Sequence, residues 1–525
     1  MLATVLSATL QGIDGRVIRV EVDVAPGLPG FSVVGLADAS LQEARERVRG
    51  AIRNSGLVFP PRRITVNLAP ADLRKTGASL DAAIAVGILL GSEQARADGS
   101  WALIGELSLG GELRRVPGIL SMVAALARRG VARVVVPQDA AAEAGLVGRI
   151  EVHAAADLAA ALAAIRSGRA APARSNPARV DLGGALGART GMEAGSSAGL
   201  EPSAADLPDL AEVRGQAVAR RALEIALAGG HGLLLVGPPG SGKTLLARTI
   251  PGLLPPLEPD DALTATAIRS AAGEGPIVEL DRRRPFRSPH HTISYAGMVG
   301  GGPVLAPGEV TRAHQGVLFL DELPEFGRDV LEALRQPLEE GRVAIVRAAR
   351  SMTLPARFQL VAAMNPCPCG GAVGVEPVCR CRPGVPERYA ARVSGPLRDR
   401  IDLWVEMPRV PPATLVGASA AEPSAVVADR IAAIRHFQQD RQGTLNAALG
   451  GHKLRAACRL GARERARVVG LADGLDLSAR GVERLLRSAR TIADLEASEA
   501  VGLVHLDEAG RFRALGSHSI QPLAV

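Results

Sequence analysis

The glycine-rich stretch from Gly237 to Thr244 constrains this chain more than any other segment. It reads Gly-Pro-Pro-Gly-Ser-Gly-Lys-Thr and matches the phosphate-loop pattern G-x-x-x-x-G-K-[ST] in full. The apolar run His231–Val236 before it reads as a strand, and the residues after it read as the start of a helix. In that arrangement, backbone N–H groups and a helix N-terminus surround phosphate groups. The motif therefore predicts an α/β domain that binds a nucleoside triphosphate.

Each position of this loop has an expected role. Lys243 is expected to reach the β- and γ-phosphates, and the Thr244 hydroxyl is expected to bind Mg²⁺. The predicted cofactors are therefore ATP and Mg²⁺. The other residues expected to contact the nucleotide are Gly237, Pro238, Pro239, Gly240, Ser241 and Gly242.

Two further strands end in polar residues that suit this chemistry. The apolar run that begins at Gly316 ends in Asp321 and Glu322, at the edge of the sheet where ligands bind. Asp321 is expected to hold Mg²⁺, and Glu322 is expected to act as the general base or to orient the attacking water. A later strand ends at Asn365, whose amide can fix the water or sense the γ-phosphate. An asparagine that merely caps a strand before proline is the alternative reading.

Composition leaves the partner of such a site open. The chain has 525 residues and a formal net charge of +7, which permits a nucleic-acid partner without requiring one. The start of the chain lacks the positive charge of a signal peptide. The apolar run Ala82–Leu90 is shorter than the about 20 residues that span a bilayer. We therefore expect a cytoplasmic protein without a membrane partner.

The composition also divides the chain into four segments. Residues 1–168 mix strand-like alternation with helical stripes and predict an α+β domain. Residues 169–206 contain few large apolar side chains and predict a flexible linker. Residues 207–410 alternate strands and helices around the phosphate loop, and residues 411–525 show only helical periodicity. The predicted fold class is α/β for the nucleotide-binding core, with a helical domain after it.

Several elements within these segments have clear patterns. Strict alternation over residues 17–24 predicts a strand with one wet face, and Ser40–Asn54 carries a helical apolar stripe. Ser79–Leu90 reads as a buried helix, Trp101–Leu109 as a strand-like stretch, and Arg342–Arg357 as a hairpin.

Four of the five cysteines lie in an insert over residues 366–382. Cys367 and Cys369 form one C-x-C pair, and Cys379 and Cys381 form another. Four thiolates could close a tetrahedral structural zinc site. The one-residue gaps are narrower than the usual C-x₂₋₄-C spacing, so four free thiols remain an alternative. Cys458 stands apart from this cluster.

Taken together, the motifs resemble the ComM (YifB) family of magnesium-chelatase-like AAA+ ATPases. The resemblance covers the whole chain. The strings that carry it are Phe286–Ile293 (FRSPHHTI), Gly300–Pro303, Pro307–Glu309, Gly316–Phe326 (GVLFLDELPEF), Ser394–Asp402 (SGPLRDRID) and Ala489–Leu495. It implies an AAA+ phosphate-loop core with a helical lid and a homo-oligomer, in this group a hexameric ring. It also implies an ATP-driven DNA helicase that drives branch migration when transforming DNA is integrated.

The resemblance assigns roles to residues that the local pattern does not single out. Asn365 matches sensor 1. Arg400 matches the arginine finger that one subunit offers to its neighbour's ATP, where it stabilises charge on the transferring phosphoryl group. Arg480 stands where related ATPases keep a sensor-2 arginine, and Arg484, one turn further on, competes for that role.

The N-terminal domain resembles the proteolytic domain of Lon proteases, which has a ribosomal-S5-domain-2-like fold. The string Lys75–Ser79 is similar to the Lon serine region, and Gly105–Leu109 is similar to the stretch before the catalytic lysine. The position of that lysine falls on Leu120, which cannot take a proton from serine. We therefore expect no proteolysis, and we expect Ser79 to cap the helix that it begins.

Two arginine-containing segments could line the pore of a ring. One is Arg282–Gly302, which contains Arg287. The other is Arg342–Arg357, in which Arg347 and Arg350 fall near the hairpin turn. In this AAA+ group such hairpins project into the ring. Arginines there would meet phosphates, although ordinary solvated arginine explains any one of them. Aromatic residues make up 2% of the chain, so we expect sequence-independent, salt-sensitive contacts with DNA rather than base stacking. The adjacent His290 and His291 are expected to point to opposite sides and not to chelate a metal together.

Three functions fit these motifs. The first is the DNA motor, and the second is a chelatase-like ATPase that remodels a protein partner. The third is a nucleotide-switched scaffold without catalysis. The presence of Lys243, Asp321, Glu322 and Asn365 argues against the third.

Overall fold

A computed structural model describes residues 1–35, 39–71, 73, 75, 78–97, 99–167, 207–301, 306–347, 350–371, 379–417 and 422–517. The described residues form two compact units. The first lies within Met1–Ser196, Pro259–Asp281 and Gly301–Pro307, and the second within Ser197–Glu258, Arg282–Gly300 and Gly308–Val525. The predicted linker over residues 169–206 lies outside the described residues.

The N-terminal part of the chain alternates strands and helices. Its strands are β1 (Leu2–Gln11), β2 (Asp14–Ala25), β3 (Gly30–Val34), β4 (Arg63–Ala69), β5 (Trp101–Leu103), β6 (Glu106–Leu107), β7 (Leu113–Arg114), β8 (Arg133–Pro137) and β9 (Glu151–Ala155). Its helices are α1 (Ala39–Asn54), α2 (Asp81–Gly91), α3 (Ile119–Arg128), α4 (Ala141–Gly145) and α5 (Leu158–Ser167).

Seven of these strands form one mixed sheet in the order β3-β4-β2-β1-β5-β8-β9. Strands β1 and β2 form an antiparallel hairpin, whereas β5, β8 and β9 are parallel to one another. The alternation predicted for residues 17–24 is confirmed, since Ile18, Val20, Val22 and Val24 are buried in the core. Helix α2 is buried along nearly its whole length, which explains why its sequence is apolar on every side.

One sequence prediction for this unit is wrong, and another is made more specific. Ser79 does not cap α2, because the Ser79 hydroxyl donates to the carbonyl oxygen of Ala8 at 3.1 Å. The strand-like stretch Trp101–Leu109 contains two short strands, β5 and β6, separated at Gly105, where φ is +154°. The position matched to the Lon lysine, Leu120, is buried in α3.

The central part of the chain carries the second sheet. The strands of this central part are β10 (Leu233–Val236), β11 (Phe286–Arg287), β12 (Gly300–Gly301), β13 (Ala306–Pro307), β14 (Val317–Leu320), β15 (Arg342–Arg347), β16 (Arg350–Pro355), β17 (Gln359–Met364) and β18 (Leu403–Glu406). Its helices are α6 (Ala217–Gly229), α7 (Lys243–Arg248), α8 (Ile250–Leu253), α9 (Pro259–Ala271), α10 (Tyr295–Val299), α11 (Glu309–Arg312), α12 (Arg328–Ala333), α13 (Arg335–Glu340), α14 (Val385–Ala390) and α15 (Gly395–Arg398). Helix α9 belongs to the first compact unit.

Five parallel strands of the second unit form a sheet in the order β11-β14-β17-β10-β18. The three central strands β10, β14 and β17 are short and buried on both faces, as parallel strands covered by helices require. Because the strands run in one direction, the carboxyl ends of β10, β14 and β17 lie at the same edge. That edge therefore receives the phosphate loop, the Asp321–Glu322 pair and Asn365.

The predicted hairpin is confirmed. Strands β15 and β16 pair in antiparallel register from Arg342 opposite Pro355 to Arg347 opposite Arg350. The described elements after β18 are all helical, as predicted for residues 411 onward. The helices are α16 (Pro412–Gly417), α17 (Ser424–Gln442), α18 (Gly451–Cys458), α19 (Ala462–Gly474), α20 (Ala479–Leu495) and α21 (Leu503–Ser517).

The parallel sheet and the C-terminal helices of the second unit share one hydrophobic core. It includes Leu233 and Val361 from the sheet and Leu485 and Ile492 from α20. Burial of the apolar stripe of α20 against the neighbouring helices α6 and α21 supplies the main stabilisation of this helix, because a solvated helix of this length is marginal by itself. Among the described helices, none combines the length and apolar character needed to cross a bilayer.

Candidate active site

The phosphate loop joins the carboxyl end of β10 to the first turn of α7. Helix α7 begins at Lys243, as the motif predicts. Gly240 and Gly242 have φ of +78° and +93°, a conformation that favours glycine. At Gly237 the constraint is space, because a Cβ atom there would lie 2.3 Å from the carbonyl oxygen of Met407. The glycines therefore give the loop its shape.

The Lys243 ammonium lies inside this loop. Its side chain donates to the carbonyl oxygens of Gly237 at 2.7 Å and Pro238 at 2.9 Å, and to Asn365 Oδ1 at 3.2 Å. Burial lowers the pKa of Lys243, and the charges of Asp321 and Glu322 act in the opposite direction. The structure thus brings the lysine and the strand-end asparagine together at one position.

Thr244 and Asp321 are also in contact. The Thr244 hydroxyl donates to Asp321 Oδ2 at 2.7 Å. A hydroxyl oxygen beside a carboxylate is the donor set that Mg²⁺ prefers, and only one or two protein ligands are needed when phosphates and waters supply the rest. The residues present therefore fit a magnesium ion at this point.

Glu322 follows Asp321 in an unusual backbone conformation. Its φ of +54° lies in the left-handed region, which a non-glycine residue adopts at a cost. The Glu322 N–H donates to Asp321 Oδ1 at 3.0 Å, which helps to hold this turn. The consequence is that the Glu322 carboxylate projects from the sheet edge and remains solvent-accessible.

The Glu322 carboxylate meets a histidine that the sequence reading did not assign to the site. His291 Nδ1 lies 3.4 Å from Glu322 Oε2. The prediction that His290 and His291 point to opposite sides is wrong, since their ring centroids are 4.1 Å apart. The reason is a turn in which the Ile293 N–H donates to the His290 carbonyl oxygen at 3.0 Å. No local sequence signal indicates the contact between His291 and Glu322.

Gln216 is a second residue that the sequence did not point to, and it holds the phosphate loop through hydrogen bonds. The Gln216 amide donates to the carbonyl oxygens of Ser241 at 3.1 Å and Pro408 at 2.7 Å. Gln216 is buried, so these bonds are shielded from water. The side chain ties the loop to the segment that follows β18.

The two arginines assigned by resemblance share one carboxylate. Arg400 hydrogen-bonds to Glu339 on α13, and Arg480 Nη1 lies 3.5 Å from the same Glu339 oxygen. The Arg400 side chain is 7% exposed, whereas that of Arg480 is 74% exposed. In this conformation Arg400 is held within its own subunit.

Arg484 forms hydrogen bonds within a buried network. It donates to the carbonyl oxygen of Arg400 and to Asp402 Oδ1, both at 2.9 Å. Asp402 also accepts from the Gly232 N–H at 3.0 Å. Burial by itself would raise the pKa of Asp402, but the hydrogen bond with His231 and the charge of Arg484 hold it well below its usual range. Arg484 therefore has a structural partner, and the end of Arg480 faces solvent.

The four clustered cysteines converge on one point. Cys367 Sγ lies 3.2 Å from Cys369 Sγ and 3.5 Å from Cys379 Sγ, and all four sulfurs, including that of Cys381, lie within 4.8 Å of one another. The Arg380 N–H donates to the Cys369 sulfur and lowers the pKa of that thiol to about 6. Cys458 is buried elsewhere, in α18.

Among the DNA-contact candidates, Arg287 does not fit an exposed contact. Its guanidinium is buried and forms two hydrogen bonds with Glu309, at 2.8 and 3.1 Å. The sequence gives no sign that a carboxylate 22 residues later neutralises this charge. Arg347 and Arg350 end the paired strands β15 and β16 at the hairpin tip, and their side chains lie outside the described part of the chain.

Comparison with known proteins adds family membership to this geometry. Residues 209–415 match the profile of the magnesium chelatase subunit ChlI, and residues 421–513 match its C-terminal profile. Residues 20–140 match a further profile, subunit ChlI of Mg-chelatase.

Full-length relatives agree with these profiles. The uncharacterized protein YifB of Escherichia coli is 43% identical over 98% of this chain and 97% of its own length, as is YifB of Salmonella typhimurium. The competence protein ComM of Haemophilus influenzae is 38% identical over 98% of both chains. The chain therefore belongs to the ComM (YifB) family of magnesium-chelatase-like AAA+ proteins, and this membership implies ATPase activity.

Proposed function

We propose that this protein is an ATP-driven motor that works on DNA. The observation that carries the ATPase part is the convergence at one sheet edge of the Lys243–Asn365 and Thr244–Asp321 contacts. These contacts join residues that follow the carboxyl ends of three separate strands, as the phosphate-loop chemistry requires.

In the proposed reaction, the backbone N–H groups of residues 237–244 bind the phosphates of ATP. Bound Mg²⁺, held by Thr244 and Asp321, would neutralise charge on the phosphate oxygens. Lys243 exchanges its carbonyl contacts for phosphate oxygens, and Asn365 contacts the γ-phosphate or the attacking water. Glu322 takes the proton from that water or orients it, and its exposed position at the sheet edge supports this role.

We assign the intersubunit role to Arg400 and sensor 2 to Arg480. Arg480 is the better sensor-2 candidate, because Arg484 is already bound to Asp402 and to the Arg400 carbonyl oxygen. Arg400 would have to exchange Glu339 for the phosphate of a neighbouring subunit. A hexameric ring, typical of the family, would supply that neighbour at each site.

His291 is proposed as a positioning residue for Glu322. We expect His291→Ala to lower the turnover number of ATP hydrolysis by about 10- to 100-fold, because a misplaced base loses catalytic efficiency steeply. ATP affinity should stay unchanged, since His291 is not part of the phosphate loop. Steady-state kinetics with a direct measurement of nucleotide binding checks this split.

The control for His291 is His436→Ala on α17, whose ring is exposed and pairs only with Asp440 among the described contacts. His291→Asn should recover part of the activity, because its amide can donate to Glu322. If His291→Ala hydrolyses ATP like the unaltered protein, the positioning role is wrong.

Support for DNA as the substrate comes from the hairpin and from the relatives. The tip of the β15–β16 hairpin carries Arg347 and Arg350, and guanidinium groups bind phosphates without reading sequence. A relative with near-complete coverage is named competence protein ComM. We therefore propose that the motor drives branch migration when incoming DNA is recombined during natural transformation.

The other domain assignments remain part of this proposal. Residues 1–168 would form a Lon-protease-like domain of the ribosomal-S5-domain-2-like type without proteolytic activity, joined to the motor by a linker over 169–206. Residues 207–410 would be the AAA+ core, and residues 411–525 would be its helical lid. We also propose that Cys367, Cys369, Cys379 and Cys381 hold a structural Zn²⁺ ion, which their convergence supports.

The DNA proposal predicts salt-sensitive stimulation of ATP hydrolysis by single-stranded, duplex or branched DNA. Replacing both Arg347 and Arg350 with alanine should reduce the slope of log affinity for duplex DNA against log salt by about 2. The control is Arg342→Ala at the base of the same hairpin, where Arg342 pairs with Glu340 at 3.1 Å. An ATP turnover number that no DNA changes at any salt concentration would exclude the DNA proposal.

The alternative is a chelatase-like ATPase that remodels a protein partner. The observation in its favour is the match of three ChlI profiles to the chain. A relative described as a magnesium-chelatase 67 kDa subunit, from Chlorobaculum parvum, is 28% identical over only 26% of this chain. ATP turnover that is indifferent to DNA but stimulated by a protein fraction would favour this alternative.

A further inference from the structure

We propose that the four-cysteine metal site is a positioning element of the ATP site, so that tight nucleotide binding requires the bound metal. This inference rests on the proposed nucleotide site and on the proposed zinc ion. It goes beyond both, because it joins two features that the sequence presents as unrelated. Three observations carry it: the sulfur geometry, the turn between the cysteines and Asn365, and a close contact with Pro239.

The sulfur geometry fits a tetrahedral metal. Zinc–sulfur bonds of about 2.3 Å place the sulfurs of a four-thiolate site about 3.8 Å apart. The Cys369 and Cys379 sulfurs are 3.8 Å apart, the Cys367 and Cys379 sulfurs are 3.5 Å apart, and the Cys367 and Cys369 sulfurs are closer, at 3.2 Å. No carboxylate or imidazole joins the cluster among the described residues. Four soft ligands without oxygen donors favour Zn²⁺ over Mg²⁺ or Ca²⁺.

The cluster begins two residues after Asn365. The Gly370 N–H donates to the Cys367 carbonyl oxygen at 3.0 Å, which closes a tight turn over Cys367–Gly370. The Cys367 side chain is buried and its sulfur lies 3.0 Å from the carbonyl oxygen of Gly371. A metal that fixes Cys367 therefore also limits where Asn365, and with it the Lys243 contact, can lie.

The same turn packs against the phosphate loop. Gly370 has a φ of +77°, and a Cβ atom at this position would lie 2.5 Å from Cδ and 2.7 Å from Cγ of Pro239. The Gly370 backbone is thus packed directly against the proline ring in the middle of the loop. Only glycine allows this approach, because any side chain would push the ring away.

Through these contacts the metal site can affect two residues of the nucleotide site, Asn365 and Pro239. The turn is joined to Asn365 through Pro366 and packs against Pro239, and a shared metal would link the turn to the C-x-C pair at Cys379 and Cys381. Removing the metal leaves four thiols that are no longer linked through a shared ion, and the turn loses its cross-link. The phosphate loop then loses a rigid wall, and its N–H groups are less well arranged for phosphate.

The test compares three variants of the full-length protein. Cys369→Ser removes a proposed metal ligand. Gly370→Ala leaves all four cysteines but inserts a methyl group against Pro239. The matched control is Gly384→Ala, because Gly384 has a similar φ of +80° and open space where its Cβ would lie. Zinc content by elemental analysis, affinity for a fluorescent ATP analogue and the thermal unfolding midpoint are measured for each.

We expect one zinc ion per chain in the unaltered protein and in both glycine variants, and its loss in Cys369→Ser. Both Cys369→Ser and Gly370→Ala should bind the ATP analogue about 10- to 100-fold more weakly, because displacements near 1 Å have effects of that size. Gly384→Ala should bind like the unaltered protein. If Cys369→Ser is unfolded, the nucleotide affinity of the unaltered protein before and after removal of zinc by a chelator decides the coupling. The comparison of Gly370→Ala with Gly384→Ala then tests the contact with Pro239.

Three results would overturn the inference. The first is unaltered protein without zinc. The second is zinc-free, folded Cys369→Ser with unchanged nucleotide affinity, and the third is unchanged affinity in Gly370→Ala. Failure of the proposed ATPase is distinguishable, since the unaltered, zinc-loaded protein would then bind no ATP analogue at all.

Discussion

Replacing Arg400 with alanine is expected to reduce the turnover number of ATP hydrolysis by about 10³-fold or more. An arginine finger acts on the charge that develops on the transferring phosphoryl group, so its removal affects catalysis more than ATP binding. Within the subunit Arg400 is held by Glu339 and is largely buried. The loss should therefore appear only in assembled protein. Kinetics at protein concentrations below and above assembly, with the oligomer size measured in parallel, check this expectation.

A mixing experiment tests whether Arg400 acts on a neighbour. Arg400→Ala and Glu322→Gln subunits are each expected to be inactive alone. In a mixed ring, a Glu322→Gln subunit would offer its intact arginine to an Arg400→Ala subunit that keeps its base, so part of the activity should return. The matched single-site control is Arg398→Ala, whose guanidinium packs over the Trp404 ring at 5.7 Å. Mixed rings with no more activity than the separate variants would argue against action in trans.

Glu322→Gln is expected to lower turnover by about 10²- to 10⁴-fold while ATP binding persists. Glutamine keeps the size of the side chain and can keep the contact with His291, but it cannot accept a proton. The phosphate loop, Thr244 and Asp321 remain intact, so the variant should bind ATP and fail to consume it. Single-turnover kinetics and nucleotide affinity measured on the same preparation separate the two effects.

Two comparisons make the Glu322 result specific. Glu325→Gln changes a nearby carboxylate that pairs with Arg392 at 2.9 Å, and its turnover should be close to that of the unaltered protein. Lys243→Ala should lose both binding and hydrolysis, because the ammonium serves the ground state as well as the reaction. Unchanged turnover in Glu322→Gln would mean that another group activates the water.

The parts of the site that could be predicted from the sequence are those with a local pattern. The phosphate loop, the Asp321–Glu322 pair and Asn365 each follow an apolar run that reads as a buried strand. Parallel strands bring their carboxyl ends to one edge, so three local patterns were enough to predict a common location. The contacts of Lys243 and Thr244 agree with that expectation.

The parts that could not be predicted depend on partners far away in the sequence. The charge of Arg287 suggested an exposed contact, yet Glu309 pairs with it in the core. His291 was expected only to point away from His290, yet a turn brings it to Glu322. In each case the residue type was visible, but its environment depended on chain segments that meet only after folding.

The sequence by itself determined the element types, the order of the strands along the chain and the chemistry at the strand ends. These properties follow from periodicity and from short motifs, which act over a few residues. Only the tertiary structure decided which charges are neutralised, that Glu339 holds both Arg400 and Arg480, and that Gly370 packs against Pro239. The physical reason is that burial and pairing energies depend on distances between elements, and strand and helix periodicity carries no information about those distances.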